Sequence, residues 1–486
     1  MITVETLQAS LGVLPMGPVI GGETRAGDGL IDVLDPSTER SIAHVADATV
    51  ADAQLAADTA AASLAELREA SPRRRSEMLR NAFRLMTERS EPLARLITLE
   101  NGKAIHDARA EVTYAAEFFR WYSEEAVRVG GTFGDSPSGS NRILVRREPI
   151  GVALLVTPWN FPAAMATRKI APAIAAGCPV ILKPAEETPL TALALARILL
   201  EAGVPAGAVN VLPSTRAPQI CRQLLGDGRV RKLSFTGSTQ VGRTLLETAA
   251  AQVVSCSMEL GGNAPFLVLP DTVVEEAVAG AMVAKFRNGG SACTAANRFF
   301  VHSSVVDEFA ERFAAQMRRL VVGPGIDEAT RLGPLVNART RDKVSALVAG
   351  ALRDGAHALV GGSAPDRLGY FFDPTLLVGV AQSSSILVEE IFGPVAPVVA
   401  YDDVDEAVQL ANATEYGLAA YVYSGDLRRG LQVAERLDCG MVGLNRGVVS
   451  DPAAPFGGTK QSGLGREGGH EGILEFTEQK YIAVEW

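Results

Sequence analysis

The sequence predicts an α/β protein with two doubly wound parallel-sheet domains and a small β element. Short apolar runs alternate with helical segments from Gly151 onward, which is typical of a parallel sheet covered by helices on both faces. The alternation starts again near Phe266 and continues over a similar length. Polar stretches between residues 157 and 262 follow the apolar runs directly, and ligands bind at that end of the strands in such sheets.

The chain before this alternation predicts helices over 50–70, 76–101 and 104–129. Pro92 is expected to divide the second helix near Ser90, because proline disfavours a helical conformation in the residue before it. The third helix carries an aromatic stripe, which we interpret as core packing: Tyr114, Phe118, Phe119, Trp121 and Tyr122.

Two segments predict a small separate β element. Residues 142–149 are expected to form an exposed strand after a glycine break at 130–131, and residues 480–485 to form a strand that pairs with it. An exposed strand offers an edge to a second subunit, so we expect a homodimer or homotetramer. A simple hairpin is the alternative.

The two α/β units account for most of the other predicted elements. The first is expected to contain strands 152–156, 180–182, 209–212, 232–235 and 253–255 and helices 163–176, 190–202, 220–225 and 241–250. The second is expected to contain strands 266–269, 299–302, 375–378, 420–423 and 441–445 and helices 273–286, 305–321, 340–353, 404–413 and 427–437. Residues 451–466, rich in glycine and proline, predict a loop.

Composition and charge argue against several function classes. The net charge of -10 disfavours nucleic-acid binding, and no apolar run is long enough to cross a membrane. Five widely spaced cysteines suit a reducing compartment, which we expect to be the cytoplasm, and residues 1–10 do not resemble a signal peptide. No cysteine or histidine pair has the spacing of a metal site, so no metal is expected.

A candidate nucleophile lies in the stretch 286–298. Cys293 follows two glycines and Ser291 and precedes small residues, which would let a substrate approach the sulfur closely. A thiol nucleophile needs that access and a means of becoming a thiolate. The alternative is a small buried hydrophobic residue, as most free cysteines are.

Two polar residues after predicted strands are candidates for supporting chemistry. Asn160 lies between two prolines, and a rigidly held amide can donate to a developing oxyanion. Glu259 precedes the glycines 261–262, where a carboxylate could act as a general base. An Asx turn and a surface glutamate are the respective alternatives.

Dinucleotide binding is suggested by two further stretches. Gly237, Ser238 and Gly242 lie between a strand and a helix N-terminus, which can bind phosphate, although their spacing is not G-x-G-x-x-G. Lys183 and Glu186 follow a strand and could hydrogen-bond ribose hydroxyls, and the carboxylate would favour NAD over NADP. A plain glycine turn and an acidic helix start are the alternatives.

Taken together, these motifs resemble the aldehyde dehydrogenase superfamily from about residue 15 to the C-terminus. They occur in the family's order and spacing at 157–162, 235–242, 259–262, 286–298, 390–394 and 455–458. The resemblance implies a Rossmann-like NAD-binding domain (1–129 and 150–260), oligomerisation strands (130–149 and 470–486), a catalytic domain (261–445) and a loop returning to the first domain (446–469).

The resemblance also implies roles for individual residues. Cys293 would attack an aldehyde, and the Asn160 amide and the backbone N–H of Cys293 would hold the oxyanion. Glu259 would activate the water that hydrolyses the resulting thioester. The implied cofactor is NAD, with NADP possible. Its implied contacts are Trp159, Lys183, Glu186, Gly237, Ser238, Gly242, Glu390 and Phe392.

Within the superfamily, the sequence is most similar to the succinate-semialdehyde branch. Arg168 and Arg287 match that branch's arginines for the distal carboxylate of the substrate, and Ser450 matches its supporting hydroxyl. Ser291 departs from the usual glutamine, and Ala295 replaces a cysteine that some members carry, so a disulfide between positions 293 and 295 is not available.

Other functions remain as alternatives. The same chemistry could act on glutarate semialdehyde or on another aliphatic or aromatic aldehyde. A coenzyme-A-acylating enzyme is disfavoured by Glu259, since a base that activates water would hydrolyse the thioester. A non-catalytic NAD-binding protein is disfavoured by the intact set of Cys293, Asn160 and Glu259.

Overall fold

A computed structural model describes residues 3–485 of the 486-residue chain. Its helices are α1 Val4–Leu11, α2 Val50–Glu69, α3 Pro72–Glu88, α4 Ser90–Asn101, α5 Ile105–Glu125, α6 Pro162–Ala176, α7 Pro189–Glu201, α8 Ala217–Leu225, α9 Thr239–Ala250, α10 Val274–Phe286, α11 Val306–Met317, α12 Ala338–Arg353, α13 Val404–Asn412, α14 Leu427–Ala434 and α15 Glu471–Leu474. Short 3₁₀ turns lie at Ala206–Ala208, Arg287–Gly290 and Ser385–Leu387.

The strands are β1 Val19–Ile20, β2 Glu23–Thr24, β3 Leu30–Asp35, β4 Arg40–Ala46, β5 Thr132–Asp135, β6 Arg142–Pro149, β7 Val152–Val156, β8 Val180–Lys183, β9 Val209–Val211, β10 Val230–Thr236, β11 Ser255–Glu259, β12 Ala264–Val268, β13 Ala296–His302, β14 His357–Val360, β15 Thr375–Val378, β16 Val395–Tyr401, β17 Tyr416–Gly417, β18 Ala419–Tyr423, β19 Met441–Leu444, β20 Thr459–Lys460, β21 Gly463–Leu464 and β22 Thr477–Val484.

The first large sheet has eight strands in the order β2-β1-β9-β8-β7-β10-β11-β21. Its five central strands run parallel to one another, in the order β9, β8, β7, β10 and β11. The edge strands β1, β2 and β21 are antiparallel to their neighbours. Every residue of β7 and β8 is buried, as a strand covered on both faces requires. This sheet therefore confirms the first predicted parallel unit.

The second large sheet has the order β14-β15-β16-β13-β12-β18-β19. Only β14, at one edge, is antiparallel to its neighbour. The fold class is thus confirmed as α/β with two parallel-sheet units. The division of the chain into numbered domains stays a prediction.

A three-stranded antiparallel sheet, β22-β6-β5, lies apart from both. Its register pairs Thr477 with Pro149 and Val484 with Arg142. The predicted pairing between the region near residue 145 and the C-terminal segment is therefore confirmed. Its role in oligomerisation stays a prediction.

The structure differs from the sequence-based expectation in several elements. The strand predicted at 253–255 is wrong, because Val253 is 87% exposed in a turn with φ 52° and the strand begins at Ser255. The hairpin of β3 and β4, the short β5 and the strands β14 and β16 were not predicted. The loop expected at 451–466 contains the two short strands β20 and β21.

Among residues 3–485, no helix is both long and apolar enough to span a membrane.

Candidate active site

The loop that carries Cys293 leaves helix α10 through an unusual turn. Asn288, Gly289 and Gly290 have successive φ values of 55°, 61° and 77°, a left-handed conformation that glycine and asparagine adopt most readily. A Cβ atom at Gly290 would also collide with the carbonyl of Gly393. This backbone turns the chain sharply from α10 toward Cys293.

Cys293 is partly accessible and faces a small cavity. Arg168, Arg287 and Ser450, which were predicted from three separate stretches, line the same cavity. Its other lining residues are Tyr114, Phe161, Met165, Ala292, Thr294 and Phe456. The structure therefore brings the predicted nucleophile and the three predicted substrate residues together.

Asn160 is fixed through both its backbone and its side chain. Its carbonyl oxygen accepts hydrogen bonds from Lys103 Nζ at 2.6 Å and Asn288 Nδ2 at 2.8 Å. Its own Nδ2 donates to the carbonyl oxygen of Ser291 at 3.1 Å, which ties it to the Cys293 loop. The backbone N–H of Cys293 donates to none of the residues that the structure describes. Both groups predicted to hold an oxyanion thus belong to one hydrogen-bonded loop pair.

Glu259 ends strand β11 and is buried. Its Oε2 has no hydrogen-bond partner within the described part of the chain, and a Cβ atom at Gly457 would lie 2.9 Å from its Oε1. Burial and the charge of Glu467 raise the pKa of Glu259 well above its ordinary value, against the opposing effect of Arg168 and Lys169. Its charge also acts on the Cys293 thiol, so the two side chains share one electrostatic environment.

The Cys293 thiol is strongly affected by burial, which raises its pKa to about 12. Arg168 has the next largest effect and lowers the pKa, as Arg287 also does. Glu259 and Glu390 raise the pKa further. The thiol of the protein alone is therefore protonated at neutral pH.

Arg168 is held tightly at the cavity wall by helix α6. Its Nε lies 2.8 Å from Glu467 Oε2, its Nη2 donates to Met165 Sδ at 3.0 Å, and its guanidinium lies 4.0 Å from the ring centre of Phe456. The neighbouring Lys169 also pairs with Glu467 and donates to Ser234 Oγ. Arg168 thus contributes a fixed positive charge to the cavity.

The predicted phosphate turn lies between β10 and α9. Ser238 caps α9, and the N–H of Gly237 donates to the carbonyl oxygen of Glu259 at 3.0 Å. Cβ atoms at Gly237 and Gly242 would collide with the side chains of Phe235 and Leu260. Packing against Phe235 and Leu260 therefore requires glycine at both positions, and the helix N-terminus beside them is a type of site that can bind phosphate.

Of the two predicted ribose residues, Lys183 ends strand β8 and Glu186 lies in the loop after it. Lys183 is buried, yet its ammonium group makes no hydrogen bond or ion pair to any residue in the range 3–485. Glu186 and Glu187 are close enough to affect its charge, and Glu186 is exposed. A buried cation without a partner fits a site whose hydrogen bonds are completed by a ligand, such as the hydroxyls of a nucleotide.

The loop at 390–394 meets the Cys293 loop through Gly262. Glu390 Oε1 accepts the N–H of Gly262 at 3.1 Å, and burial raises the pKa of Glu390 to about 7. A Cβ atom at Gly262 would collide with the carbonyl oxygen of Cys293. Phe392 meets Trp159 edge to face, with ring centres 5.4 Å apart. Gly262 therefore contacts both the predicted cofactor residue Glu390 and the backbone of Cys293.

Sequence reasoning missed several residues of the site. Tyr114 was interpreted as core packing, but it lines the cavity. Lys103 and Glu111 form a buried ion pair beside Asn160, and Glu467 pairs with Arg168 and Lys169. In the sequence, Lys103, Glu111 and Glu467 are charged residues in predicted helices or loops. Residues of this kind are usually exposed, so the sequence does not mark these three as part of a buried site.

Comparisons with known proteins are consistent across sequence and structure. A model of the aldehyde dehydrogenase family matches residues 24–482. A succinate-semialdehyde dehydrogenase of Paenarthrobacter nicotinovorans is 54% identical over 443 residues, covering 91% of this chain and 98% of the relative. An Escherichia coli (strain K12) succinate-semialdehyde dehydrogenase [NADP(+)] is 44% identical over 454 residues, covering 93% of this chain and 94% of the relative.

A glutarate-semialdehyde dehydrogenase of Pseudomonas putida is also 44% identical over 454 residues, covering 93% of this chain and 94% of the relative. Among solved structures, a succinate-semialdehyde dehydrogenase from Burkholderia pseudomallei aligns with a TM-score of 0.96 at 45% identity, covering 98% of this chain and 99% of that chain.

Proposed function

The chain belongs to the aldehyde dehydrogenase family, and on this premise we propose that its substrate is succinate semialdehyde, oxidised at Cys293. As a member of the family it is an oxidoreductase that converts aldehydes to carboxylic acids with NAD or NADP. The observation that supports the substrate most strongly is the cavity, in which Arg168, Arg287 and Ser450 face the same space as the thiol. Two guanidinium groups and a hydroxyl suit an aldehyde whose far end is a carboxylate.

The first chemical step falls to Cys293. Its thiolate attacks the aldehyde carbon, and the carbonyl oxygen becomes an oxyanion bonded to a thiohemiacetal carbon. The Asn160 amide and the N–H of Cys293 are the donors proposed to stabilise this oxyanion, and the latter has no competing acceptor in the described residues. A bound nicotinamide supplies the hydride acceptor that turns the thiohemiacetal into a thioester.

The second half of the reaction falls to Glu259. As a carboxylate it takes a proton from water, which attacks the thioester carbon, and the acid leaves as Cys293 is released. A buried Oε2 without a hydrogen-bond partner supports this role, because the oxygen is free to accept from a water molecule. The raised pKa of Glu259 makes its carboxylate a stronger base than that of an ordinary glutamate, which suits a group that takes a proton from water.

The cofactor contacts are proposed from the residues of the phosphate turn and the β8 loop. Gly237, Ser238 and Gly242 would face the phosphates and Lys183 the ribose. Glu186 favours NAD over NADP by repelling a 2′-phosphate. Because this glutamate is exposed and can turn away, and the Escherichia coli relative is named for NADP(+), use of both cofactors is the alternative.

Glutarate semialdehyde is the second candidate substrate. It carries the same terminal carboxylate on a chain one methylene longer, and the Pseudomonas putida relative is named for it. The discriminating quantity is the ratio of kcat/KM for the two semialdehydes. One methylene in a close-fitting pocket changes that ratio by about 10- to 200-fold.

We also propose that the chain works as a homodimer or homotetramer in the cytoplasm. The sheet β22-β6-β5 supports assembly, because both of its edge strands are mostly exposed. All five cysteines are free thiols, which suits a reducing compartment.

The substrate proposal is tested by Arg287→Ala. Losing a charge-assisted hydrogen bond should cost about 2 kcal/mol, so KM for succinate semialdehyde should rise roughly thirty-fold. KM for butanal, which has the same length and no carboxylate, should change little. Arg353→Ala, at an exposed arginine that ends α12, is the control and should alter neither value. Equal effects of Arg287→Ala on both aldehydes would remove the carboxylate from the proposal.

A further inference from the structure

Tyr114 of helix α5 has a buried hydroxyl group without a hydrogen bond of ordinary geometry to any residue in the described range. Its ring packs edge to face on Phe118, with centres 4.9 Å apart, so the hydroxyl is held in one place. A buried hydroxyl without a partner costs folding free energy. Such a group is expected to be satisfied by something that enters the cavity.

The residues around the Tyr114 hydroxyl indicate the charge of the ligand group that would bind there. Tyr114 lines the cavity of Cys293, and the positive charges of Arg168 and Arg287 both act on it. Burial raises the pKa of Tyr114, and Ser450 is close enough to the hydroxyl to lower it in part as a hydrogen-bonding neighbour, but no hydrogen bond of ordinary length and angle forms between them. A hydroxyl whose burial-raised pKa is lowered in part by two guanidinium groups lies in a positive field, which attracts an anionic acceptor.

Arg168 offers a carboxylate only part of its donor set. Its Nε lies 2.8 Å from Glu467 Oε2 in an ion pair that lacks hydrogen-bond geometry, and its Nη2 donates to Met165 Sδ. An ionised carboxylate offers about four acceptor positions. The Tyr114 hydroxyl would add one donor to those that Arg287 and Ser450 place in the same cavity.

We propose that the Tyr114 hydroxyl donates a hydrogen bond to the distal carboxylate of the substrate and so helps to select semialdehyde acids over uncharged aldehydes. This inference rests on the proposed function. Burial raises the pKa of Tyr114, so the hydroxyl is protonated at neutral pH and able to donate. The carboxylate would lie between Tyr114, Arg287 and Ser450, with the aldehyde carbon toward Cys293.

Tyr114→Phe removes only the hydroxyl and keeps the ring contact with Phe118. Steady-state kinetics should show KM for succinate semialdehyde rising about ten-fold or more, as expected when a hydrogen bond to a charged group is lost. KM for butanal should not change, and the inhibition constant of succinate should rise by a similar factor.

Tyr122→Phe is the matched control. Tyr122 lies on the same helix, and its hydroxyl is likewise buried without a partner in the described residues, but it does not line the cavity. This variant should leave KM for succinate semialdehyde unchanged.

Two results would overturn the role of Tyr114 while leaving the proposed function intact. One is an unchanged KM for succinate semialdehyde in Tyr114→Phe when the unmodified enzyme still prefers it to butanal. The other is an equal rise in KM from Tyr122→Phe, which would indicate a general effect on packing. If the unmodified enzyme shows no preference between the two aldehydes, the proposed function itself fails.

Discussion

At the scale of single residues, the central feature is a thiol whose surroundings oppose its ionisation. Burial raises the pKa of Cys293 to about 12, and the two cavity arginines reduce this increase only in part. Because the thiolate is the nucleophile, the reactive fraction at neutral pH is small in the protein alone. Positive charge in the cavity is therefore expected to control the rate at which Cys293 reacts.

The alkylation rate of Cys293 tests this expectation. With iodoacetamide, the rate should increase about ten-fold per pH unit from pH 7 to 10 without a plateau, since the thiol pKa lies above that range. Arg287→Met should slow the reaction at each pH, because removing a cation raises the thiol pKa further. The measurement is peptide mass spectrometry over time.

Cys439 provides an internal control for this experiment. Burial raises its pKa to about 11, and Arg287 is not among the groups that affect it, so its alkylation should be the same in both proteins. A plateau for Cys293 below the ordinary thiol pKa of about 8.5 would contradict the account.

At the scale of elements, helix α5 and the loop before it hold Asn160 and the start of helix α6 in place. Glu111 of α5 accepts the N–H groups of Ala163 at 2.8 Å and Ala164 at 3.3 Å, which start helix α6. The cap residue of α6, Phe161, has no side-chain oxygen to do this. Lys103 joins Glu111 to the carbonyl oxygen of Asn160, with both of its bonds at 2.6 Å.

Lys103→Met is expected to destabilise the fold strongly. The side chains of Lys103 and Glu111 are 2% and 0% exposed, so the substitution leaves a buried carboxylate without its counter-charge. The free energy of unfolding should fall by about 3–5 kcal/mol in urea denaturation. Lys103→Met/Glu111→Gln should recover much of this loss, because the unpaired charge is gone.

The exposed pair of Arg84 and Glu88 serves as the control for this prediction. Its members are 58% and 52% exposed and lie four residues apart on α3. Arg84→Met should cost less than about 1 kcal/mol. An equal decrease in the free energy of unfolding for Lys103→Met and Arg84→Met would mean that the buried pair is no more important for stability than the exposed pair.

Sequence reasoning was most successful where a pattern is local. The strands and helices of the first parallel unit follow from apolar runs, and only the strand near residue 255 was misplaced, because the apolar residues 253–254 end a turn. Strand β16 was missed, although it is almost wholly buried in the second sheet. It follows the motif at 390–394 directly and contains Pro397, and a proline inside an apolar run argues against a central strand.

The parts of the site that could not be predicted depend on contacts between distant segments. Glu467 pairs with Lys169 from 298 residues away, and Lys103 reaches Asn160 across 57 residues. Nothing local distinguishes these charges from surface charges. The role of Tyr114 is equally hard to predict, because aromatic residues along one face of a helix usually pack in the core. Only the folded structure shows that the ring of Tyr114 borders a cavity.

At the scale of the whole molecule, the three-stranded sheet is the feature that a single chain leaves incomplete. Strand β5 is exposed along its full length, and Tyr481 and Ile482 of β22 are 58% and 37% exposed. Edges of this kind are usually covered. A second subunit is the proposed cover.

Tyr481→Lys/Ile482→Lys is expected to lower the mass of the assembly. Light scattering after size-exclusion chromatography should give a dimer or tetramer for the unmodified protein and a smaller species for the variant, because two charges would be buried at the interface. Leu427→Lys/Leu431→Lys changes two exposed apolar residues of α14 and should leave the mass unchanged. A monomeric unmodified protein would contradict the proposal.

The covalent bond between Cys293 and the acyl group is the central proposed intermediate, and Glu259→Gln tests it most directly. Mixed with NAD and succinate semialdehyde, this variant should release about one NADH per subunit in a burst and then turn over slowly, because an amide cannot take the proton from water. Intact-mass and peptide mass spectrometry should find one acyl group, attached to Cys293 and absent from Cys293→Ala. Undiminished steady turnover without an adduct, or an acyl group on another residue, would contradict the account.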